Sequence, residues 1–517
     1  MLKKPFLHPI LLALSAVQTL YAANLREIEF MASVRSLIFA LFFAGLVYLA
    51  SWLIFYKWRI GAPVASLLIL IFFTYGHLQK ALLSIPMLGK AMGRSSIMLP
   101  VLAGLMMAAI YLLWRNRAKI ENINHGFTYF VLIMFIIPLF QISISSVNQS
   151  SNRVNTAQSN TIKIEAAASN PDIYYIILDT YGRQDELRDR WGFDNSDFIQ
   201  QLRDHGFYVA DCSLSNYPYT SGSIGSALNM DYIYNIIPEP ENSRKLDLVF
   251  ASLSNNHVRQ ALESGGYKVV SFDTGYKWVN WKGTDVYYGN PAAYLTDPFL
   301  YPFETLLLDT TVLRVLEKHN LLLAKDINAA TGFDYVQSHV KKTYAALDNL
   351  KKTAELEGPL FVYTHLLVPH PPYVFNPDGS ASWENYFDEH TGEMSENVDK
   401  VQGYTNNILF INQQILEVVD TLLQASESDP IIIIQGDHSW TYGNPYPILN
   451  VYYFPDQDYQ AMYSTISPVN SFRVIFNHFF AAELPLLEDM SIEKDVNLPF
   501  WRGTVDGQTQ WCKDQGK

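Results

Sequence analysis

Five apolar stretches fill the first 147 residues of this 517-residue chain, at about 6–22, 37–56, 62–75, 97–114 and 127–144. Lipid offers no partner to a bare backbone N–H or C=O, so such segments are restricted to helices that satisfy their own hydrogen bonds. Most of the five approach the roughly 20 residues that span a bilayer, and the third does so only through an amphipathic extension. Residues 1–147 are therefore expected to form an anchor domain, a bundle of about five transmembrane helices. Lys3 and Lys4 ahead of the first stretch would also suit a secretory signal. The sites at Ala22 and Ala23, however, have Leu20 or Tyr21 where a second small residue is required, so the stretch reads as an uncleaved anchor.

Basic residues give this bundle a direction. Lys3 and Lys4, then Lys57 and Arg59, then Arg115, Arg117 and Lys119 form compact clusters in alternate loops. Arg26, Arg35, Lys80, Lys90 and Arg94 are spread thinly through the others. Cytoplasmic loops carry the excess of Lys and Arg, which puts the N-terminus in the cytoplasm. Five crossings then put everything after about Ser145 outside the cytoplasmic (inner) membrane. The spans hold almost no ionisable residues, so they lack the buried charges of a pump or carrier and read as an anchor or a platform beside lipid. A formal net charge of −13 argues against a nucleic-acid partner, which would want a basic face. Cys212 and Cys512 are too few for a disulfide framework or a Cys-rich metal site, although an oxidising compartment would permit one bridge between them.

Residues 148–170, rich in Ser, Asn, Gln and Thr and without apolar periodicity, read as a solvated linker. From 171 to 517 the composition is that of an ordinary globular domain. Buried-type strands at 173–178, 207–210, 267–272, 360–365 and 431–434 alternate with helical patterns at 195–205, 257–264, 334–357 and 402–424. That alternation predicts an α/β domain around a mostly parallel central sheet, with the strand order left open.

Two of these strands end in an acid. Ile431 to Ile434 run through Gln435 and Gly436 into Asp437 and His438, and the strand at 173–178 stops at Asp179. In an open parallel sheet, ligands gather at the carboxyl ends of the strands. Two carboxylates and an imidazole there are suitable ligands for a divalent metal. A third element lies in Asn216-Tyr-Pro-Tyr-Thr220-Ser-Gly-Ser223. Pro218 sets an extended entry and Thr220 falls where a helix N-cap belongs, so the helix start offers N–H groups and a positive dipole end to a phosphate. A hydroxyl held there against a metal would lose its proton readily and attack phosphorus. Without the acids, the same features describe a plain capped helix packed through small residues.

An Asp after an apolar strand, a Thr at a helix start and a late Gly-Asp-His together resemble the sulfatase-like branch of the alkaline phosphatase superfamily. With the membrane anchor, the layout resembles lipoteichoic acid synthases and lipid A phosphoethanolamine transferases, from about Asp172 to Leu486. The resemblance implies an alkaline phosphatase/sulfatase-like catalytic domain over 171–517. It implies one divalent metal ion (Mn or Zn) held by Asp179, Thr220, Asp437 and His438, with Thr220 as the nucleophile that becomes the phospho-enzyme. His370, in His365-Leu-Leu-Val-Pro-His370, matches the family histidine that contacts the transferred group and protonates the leaving oxygen, with His365 as its competitor. Substrate contacts are expected of His365, Ser223, Trp278 and Trp281, the two tryptophans lying in a stretch that resembles the Trp-and-Arg segment of lipoteichoic acid synthases.

The chain departs from those relatives in four ways. Asp179 stands where the transferases usually carry Glu. The Arg of the tryptophan segment is absent, and Lys277 or Lys282 is only a partial substitute. Cys212-Ser-Leu-Ser-Asn216 has neither the Pro nor the Arg of the Cys-x-Pro-x-Arg context that makes formylglycine. No second acid adjoins Asp179, which favours a single metal.

The function these features predict is transfer of a phosphoryl-alcohol group, of phosphoethanolamine or phosphoglycerol type, from a membrane phospholipid to an envelope glycan or lipid. The alternatives are a phosphoric or sulfuric ester hydrolase with the same site, and a non-enzymatic, metal-stabilised envelope domain. The last would be favoured if Asp179, Thr220, Asp437 and His438 lay beyond a metal's reach of one another. The region 463–480 and Trp501 and Trp511 carry no arguable chemistry, and Ser467-Pro468 reads as a helix start that serves packing.

Overall fold

The computed structural model describes residues 6–85, 89–155, 164, 170–237, 245–273, 277–281, 283–290, 292–296, 301–315, 335–382, 399–439, 446–492, 504–505 and 512–513. Lys3, Lys4, Lys282, Trp501, Trp511 and most of the expected linker lie outside the described residues. The chain forms two compact units, one of Met1–Asn148 and Asn290–Ser338, the other of Gln149–Gly289 and His339–Lys517.

In the first unit each apolar stretch is a helix: α1 (His8–Ala23), α2 (Phe30–Phe55), α3 (Trp58–Leu83), α4 (Ser95–Arg115) and α5 (Ile120–Asn155). Four stretches, Phe30–Phe55, Trp58–Leu83, Ser95–Arg115 and Arg117–Ser145, are long and apolar enough to cross a membrane, whereas α1 is apolar but has 16 residues. α5 continues to Asn155, into the region expected to be linker. Extending a helix that already exists adds one hydrogen bond per residue without a new nucleus, so polar composition alone does not end it. Hydropathy also passes over a polar clamp among α1, α3 and α5. His8 Nδ1 lies 2.7 Å from Ser66 Oγ and Nε2 lies 2.9 Å from Asn124 Oδ1, with all three residues fully buried.

The first unit also takes in a segment that the sequence reading placed inside the catalytic domain. The helix Pro302–Thr310 packs on the helices through Phe303, which meets Tyr21 edge to face at 6.3 Å. Arg35 grips the Glu304 carboxylate with two N–H groups and lies 5.3 Å from the centre of the Tyr301 ring. Lys80 pairs with Asp309 at 2.5 Å, and Val312 N donates to Phe72 O at 3.0 Å. A Cβ on Gly76 would fall 1.9 Å from Asp309 O, so only glycine lets the two backbones meet. A single boundary near residues 148–170 misses this return, because the partners are hundreds of positions apart.

The second unit is built on a seven-stranded sheet of order β2-β7-β6-β1-β5-β3-β4. Its strands are β1 (Ile173–Leu178), β2 (Tyr208–Val209), β3 (Lys268–Phe272), β4 (Val286–Tyr288), β5 (Leu360–Leu366), β6 (Ile431–Gly436) and β7 (Asn450–Tyr453). β6, β1, β5, β3 and β4 run parallel, and β7 is antiparallel to both β6 and β2. All residues of β1, β5 and β6 are buried, as the near-continuous apolar runs of a sheet covered on both faces require. β4 and β7 were not foreseen, since three and four residues are too few to show a period. Among the helices, α6 (Ser196–Asp204), α7 (Thr220–Asn229), α8 (His257–Ser264), α9 (Tyr335–Lys352), α10 (Lys400–Ala425) and α11 (Pro468–Phe480) matter here. Ile173, Tyr175 and Ile177 of β1 join Leu228 of α7 and Phe472 and Phe476 of α11 in one core. Cys212 and Cys512 form a disulfide, which ties residue 512 to the segment that leads into α7.

Candidate functional site

β1 lies between β5 and β6 in register, with Ile177 opposite His365 and Leu178 opposite Gly436. Asp179 and Asp437 therefore leave adjacent strands side by side at the carboxyl edge. The next residue on β1's exit, Thr180, has φ of 61°, unusual for a β-branched side chain. That turn aims the Thr180 N–H at Asp437 Oδ1, 2.9 Å away, and His438 N donates to the same oxygen at 2.8 Å. Tyr404 of α10 holds the turn by donating its hydroxyl to Thr180 O at 2.7 Å. Ser215 Oγ lies 2.6 Å from Asp437 O and 2.9 Å from Ser223 Oγ.

Asp179, Asp437 and His438 come together so that one ligand atom from each lies within 4.8 Å of the others. His438 Nδ1 donates to Ser439 O at 3.0 Å, which turns Nε2 toward the acids, 3.8 Å from Asp179 Oδ1 and 3.5 Å from Asp437 Oδ2. Those two carboxylate oxygens are buried and have no hydrogen-bond partner among the described residues. Two bare anionic oxygens facing an imidazole lone pair repel one another, and a divalent cation is the group whose charge and donor preference fit them. Burial works against charge at Asp179, but His370, His365 and His438 together outweigh it and hold the carboxyl below the ordinary range. Burial, followed by the charge of Asp179, pushes Asp437 upward.

Thr220 reaches the same place from the other direction. Its Oγ1 lies 3.4 Å from His438 Nε2. Tyr219, extended at φ −156° and ψ 150° after Pro218, is the N-cap, so Thr220 is the first helical residue and not the cap itself. His370 is carried by the loop beyond β5 and donates its backbone N–H to Asp179 O at 3.1 Å, while its Nδ1 lies 2.5 Å from Pro371 O.

Four residues expected to touch substrate are placed otherwise or less directly. His365 is 1% exposed, with Nε2 3.2 Å from Asp179 Oδ2, so it backs the Asp179 carboxylate from beneath the edge. Ser223 is fully buried and braces Ser215. Trp281 is fully buried and stacks on Tyr363 at 3.9 Å and 4°, leaving no face for a ligand. Trp278 is half-buried and stacked on Phe250 at 5.0 Å. Sequence reasoning passed over Thr180, Tyr404 and Ser215. Only the serines around Cys212 gave any local hint, since a positive φ and a hydroxyl from a distant helix leave no mark on a local pattern.

A mostly parallel sheet that presents two carboxylates, a histidine and a helix-start hydroxyl at one edge is the layout of a metal-dependent, ester-cleaving enzyme. Residues 171–464, more than half of the chain, match the family model described as sulfatase, and the chain belongs to the sulfatase family. A comparison with curated protein sequences gives no match. Among solved structures, the chain is similar to the zinc complex of the C-terminal periplasmic domain of EcEptC from Escherichia coli, at 12% identity and TM-score 0.42, covering 66% of this chain and 94% of that one. It is also similar to the integral membrane protein lipooligosaccharide phosphoethanolamine transferase A from Neisseria meningitidis, at 13% identity and TM-score 0.36, covering 92% and 96%. A third is the phosphonate monoester hydrolase of Agrobacterium radiobacter, at 14% identity and TM-score 0.36, covering 63% and 81%.

Proposed function

We propose that this chain is a membrane-anchored transferase that moves a phosphoryl-alcohol group, phosphoethanolamine or phosphoglycerol, from a phospholipid to an envelope glycan or lipid. The observation that carries the reading is the Thr220 hydroxyl, presented at a helix start 3.4 Å from His438 Nε2, the nitrogen that also faces the unpaired oxygens of Asp179 and Asp437. Thr220 gives up its hydroxyl proton to water as its Oγ attacks the headgroup phosphorus, the bond from phosphorus to the diacylglycerol oxygen breaks, and that oxygen takes a proton from His370. The acceptor hydroxyl then attacks the phospho-threonine and restores Thr220. The first helical N–H groups of α7 face the phosphoryl oxygens. A divalent ion, Mn or Zn, held by Asp179, Asp437, His438 and the Thr220 hydroxyl, would supply Lewis-acid charge and favour the alkoxide.

The anchor suits this chemistry, because both the donor and diacylglycerol stay in the bilayer. Placement outside the cytoplasmic membrane takes α1, about 24 Å long, as the first of five crossings. It draws support from Arg35 near the start of α2 and Lys80 near the end of α3, at the sparsely basic helix ends, which grip Glu304 and Asp309, residues that follow β4 in the sequence. Lys57 and Arg59, and Arg115, Arg117 and Lys119, lie at the opposite helix ends, at the junctions of α2 with α3 and of α4 with α5. Against a non-catalytic domain stand the approach of Asp179, Asp437 and His438 within 4.8 Å and of Thr220 Oγ1 to 3.4 Å from His438.

The test is product analysis on purified full-length protein supplied with headgroup-labelled phosphatidylethanolamine or phosphatidylglycerol. Diacylglycerol release and a labelled threonine are expected, with Thr220→Ala losing at least about a thousandfold in rate. Undiminished turnover in that variant removes Thr220 from the role, and label released only to water makes the enzyme a hydrolase.

A further inference from the structure

A metal-binding carboxylate must present one oxygen to the metal and keep it there, although the bond from Cβ to the carboxyl carbon turns easily. At Asp437 two backbone N–H groups hold Oδ1 and leave Oδ2 facing the site. Asp179 has no such pair. Its Oδ1 faces His438 without a hydrogen-bond partner among the described residues, and its Oδ2 lies 3.2 Å from His365 Nε2. His365 is positioned by the sheet itself. It sits opposite Ile177 in the β1–β5 pairing, so it shares a face with Asp179 one step further along, and Asp179 N is bonded to Leu366 O at 3.0 Å.

From this geometry we infer that His365 is a positioning residue, whose Nε2, in contact with Asp179 Oδ2, fixes that oxygen so that Oδ1 is held toward Asp437 and His438. The inference rests on reading Asp179 as a metal ligand. At 1% exposure His365 touches neither substrate nor solvent, so it acts only through the carboxylate. Neither ring nitrogen of His365 has a hydrogen-bond partner among the described residues, so the 3.2 Å contact of Nε2 with the Asp179 carboxylate is the polar contact that sets its orientation. Burying a polar ring with its capacity unused is costly, and the charge of Asp179 beside Nε2 is what offsets that cost. Outer-shell partners of metal ligands are worth about 10- to 100-fold in metal affinity.

Glutamine and asparagine separate this role from packing. The amide nitrogen of Gln reaches the position of Nε2, whereas that of Asn reaches only the position of Nδ1, and both side chains are polar. Full-length wild type, His365→Gln and His365→Asn are titrated with Co2+ alone, followed by visible absorption, and their metal-free melting temperatures are compared. The expected result is Co2+ affinity within about threefold of wild type for H365Q and about 10- to 100-fold weaker for H365N, with altered absorption bands only in H365N. Equal affinity in the two variants, whether retained or lost, overturns the inference, as does loss of fold in both, which would make His365 a packing residue. Failure of wild type to bind Co2+ is a separate outcome that removes the metal reading beneath it.

Discussion

A Cβ on Gly436 would stand 2.3 Å from Tyr181 O, so the strand that delivers Asp437 passes the neighbouring turn at a distance only glycine allows. Gly436→Ala is expected to cost about 1–3 kcal/mol of stability and to push Asp437 away from His438. Thermal melting and Co2+ affinity should both fall, and a variant that binds Co2+ like wild type would show that the edge accommodates the methyl group. At this scale Asp179, Asp437, His438 and Thr220 were legible because each follows a local signal: an apolar run that stops at an acid, or a helix start after proline. His365, Ser223 and Trp281 were misread for one shared reason. A residue type tells what chemistry a side chain carries, but burial decides whether a substrate can reach it. The serine beside a helix start and the tryptophan after a strand became braces and core once the sheet closed over them.

β1, β5 and β6 could be read from sequence because strands buried on both faces must be apolar throughout, and α8 because its apolar residues recur at helical spacing. β7 could not, since its placement beside β6 depends on pairing Asn450 with Gln435 and not on its own composition. α9 hides a second tertiary effect. His339 lies buried on this helix, and burial, with the nearby His370 and Lys342, lowers its value from 6.5 to about 3. The unfolded chain therefore takes up this proton first. Stability from this group is complete above about pH 6.5 and falls as the pH drops toward 3, by up to about 1.4 kcal/mol per unit. His339→Gln cannot titrate, so its unfolding free energy should decline less steeply between pH 6 and pH 4. Denaturant titrations at several pH values measure this, and parallel slopes for the two proteins would remove His339 as the source.

For the whole molecule, the change in composition near residue 147 separates apolar helices from an α/β region, but it gave no sign that residues 290–338 group with those helices. Arg35 and Glu304 are 269 positions apart and largely buried, and removing one partner of such a pair costs on the order of 3–5 kcal/mol locally. Glu304→Gln is expected to expose residues 301–315 to protease in detergent-solubilised protein while leaving Co2+ affinity unchanged. Unaltered cleavage would mean that Phe303 and Asp309 hold the segment without the pair. The sequence by itself determined the membrane helices, the parallel strands and the acids and threonine that end or begin their elements, because hydropathy, periodicity and capping act over a few neighbouring residues. Only the tertiary structure decided that Asp179 shares one space with the distant pair Asp437 and His438, that a strained Thr180 orients one carboxylate and a buried His365 touches the other, and that a segment of the sequence after β4 groups with the apolar helices. Those outcomes depend on which surfaces meet and exclude water, and no local stretch of sequence specifies that meeting.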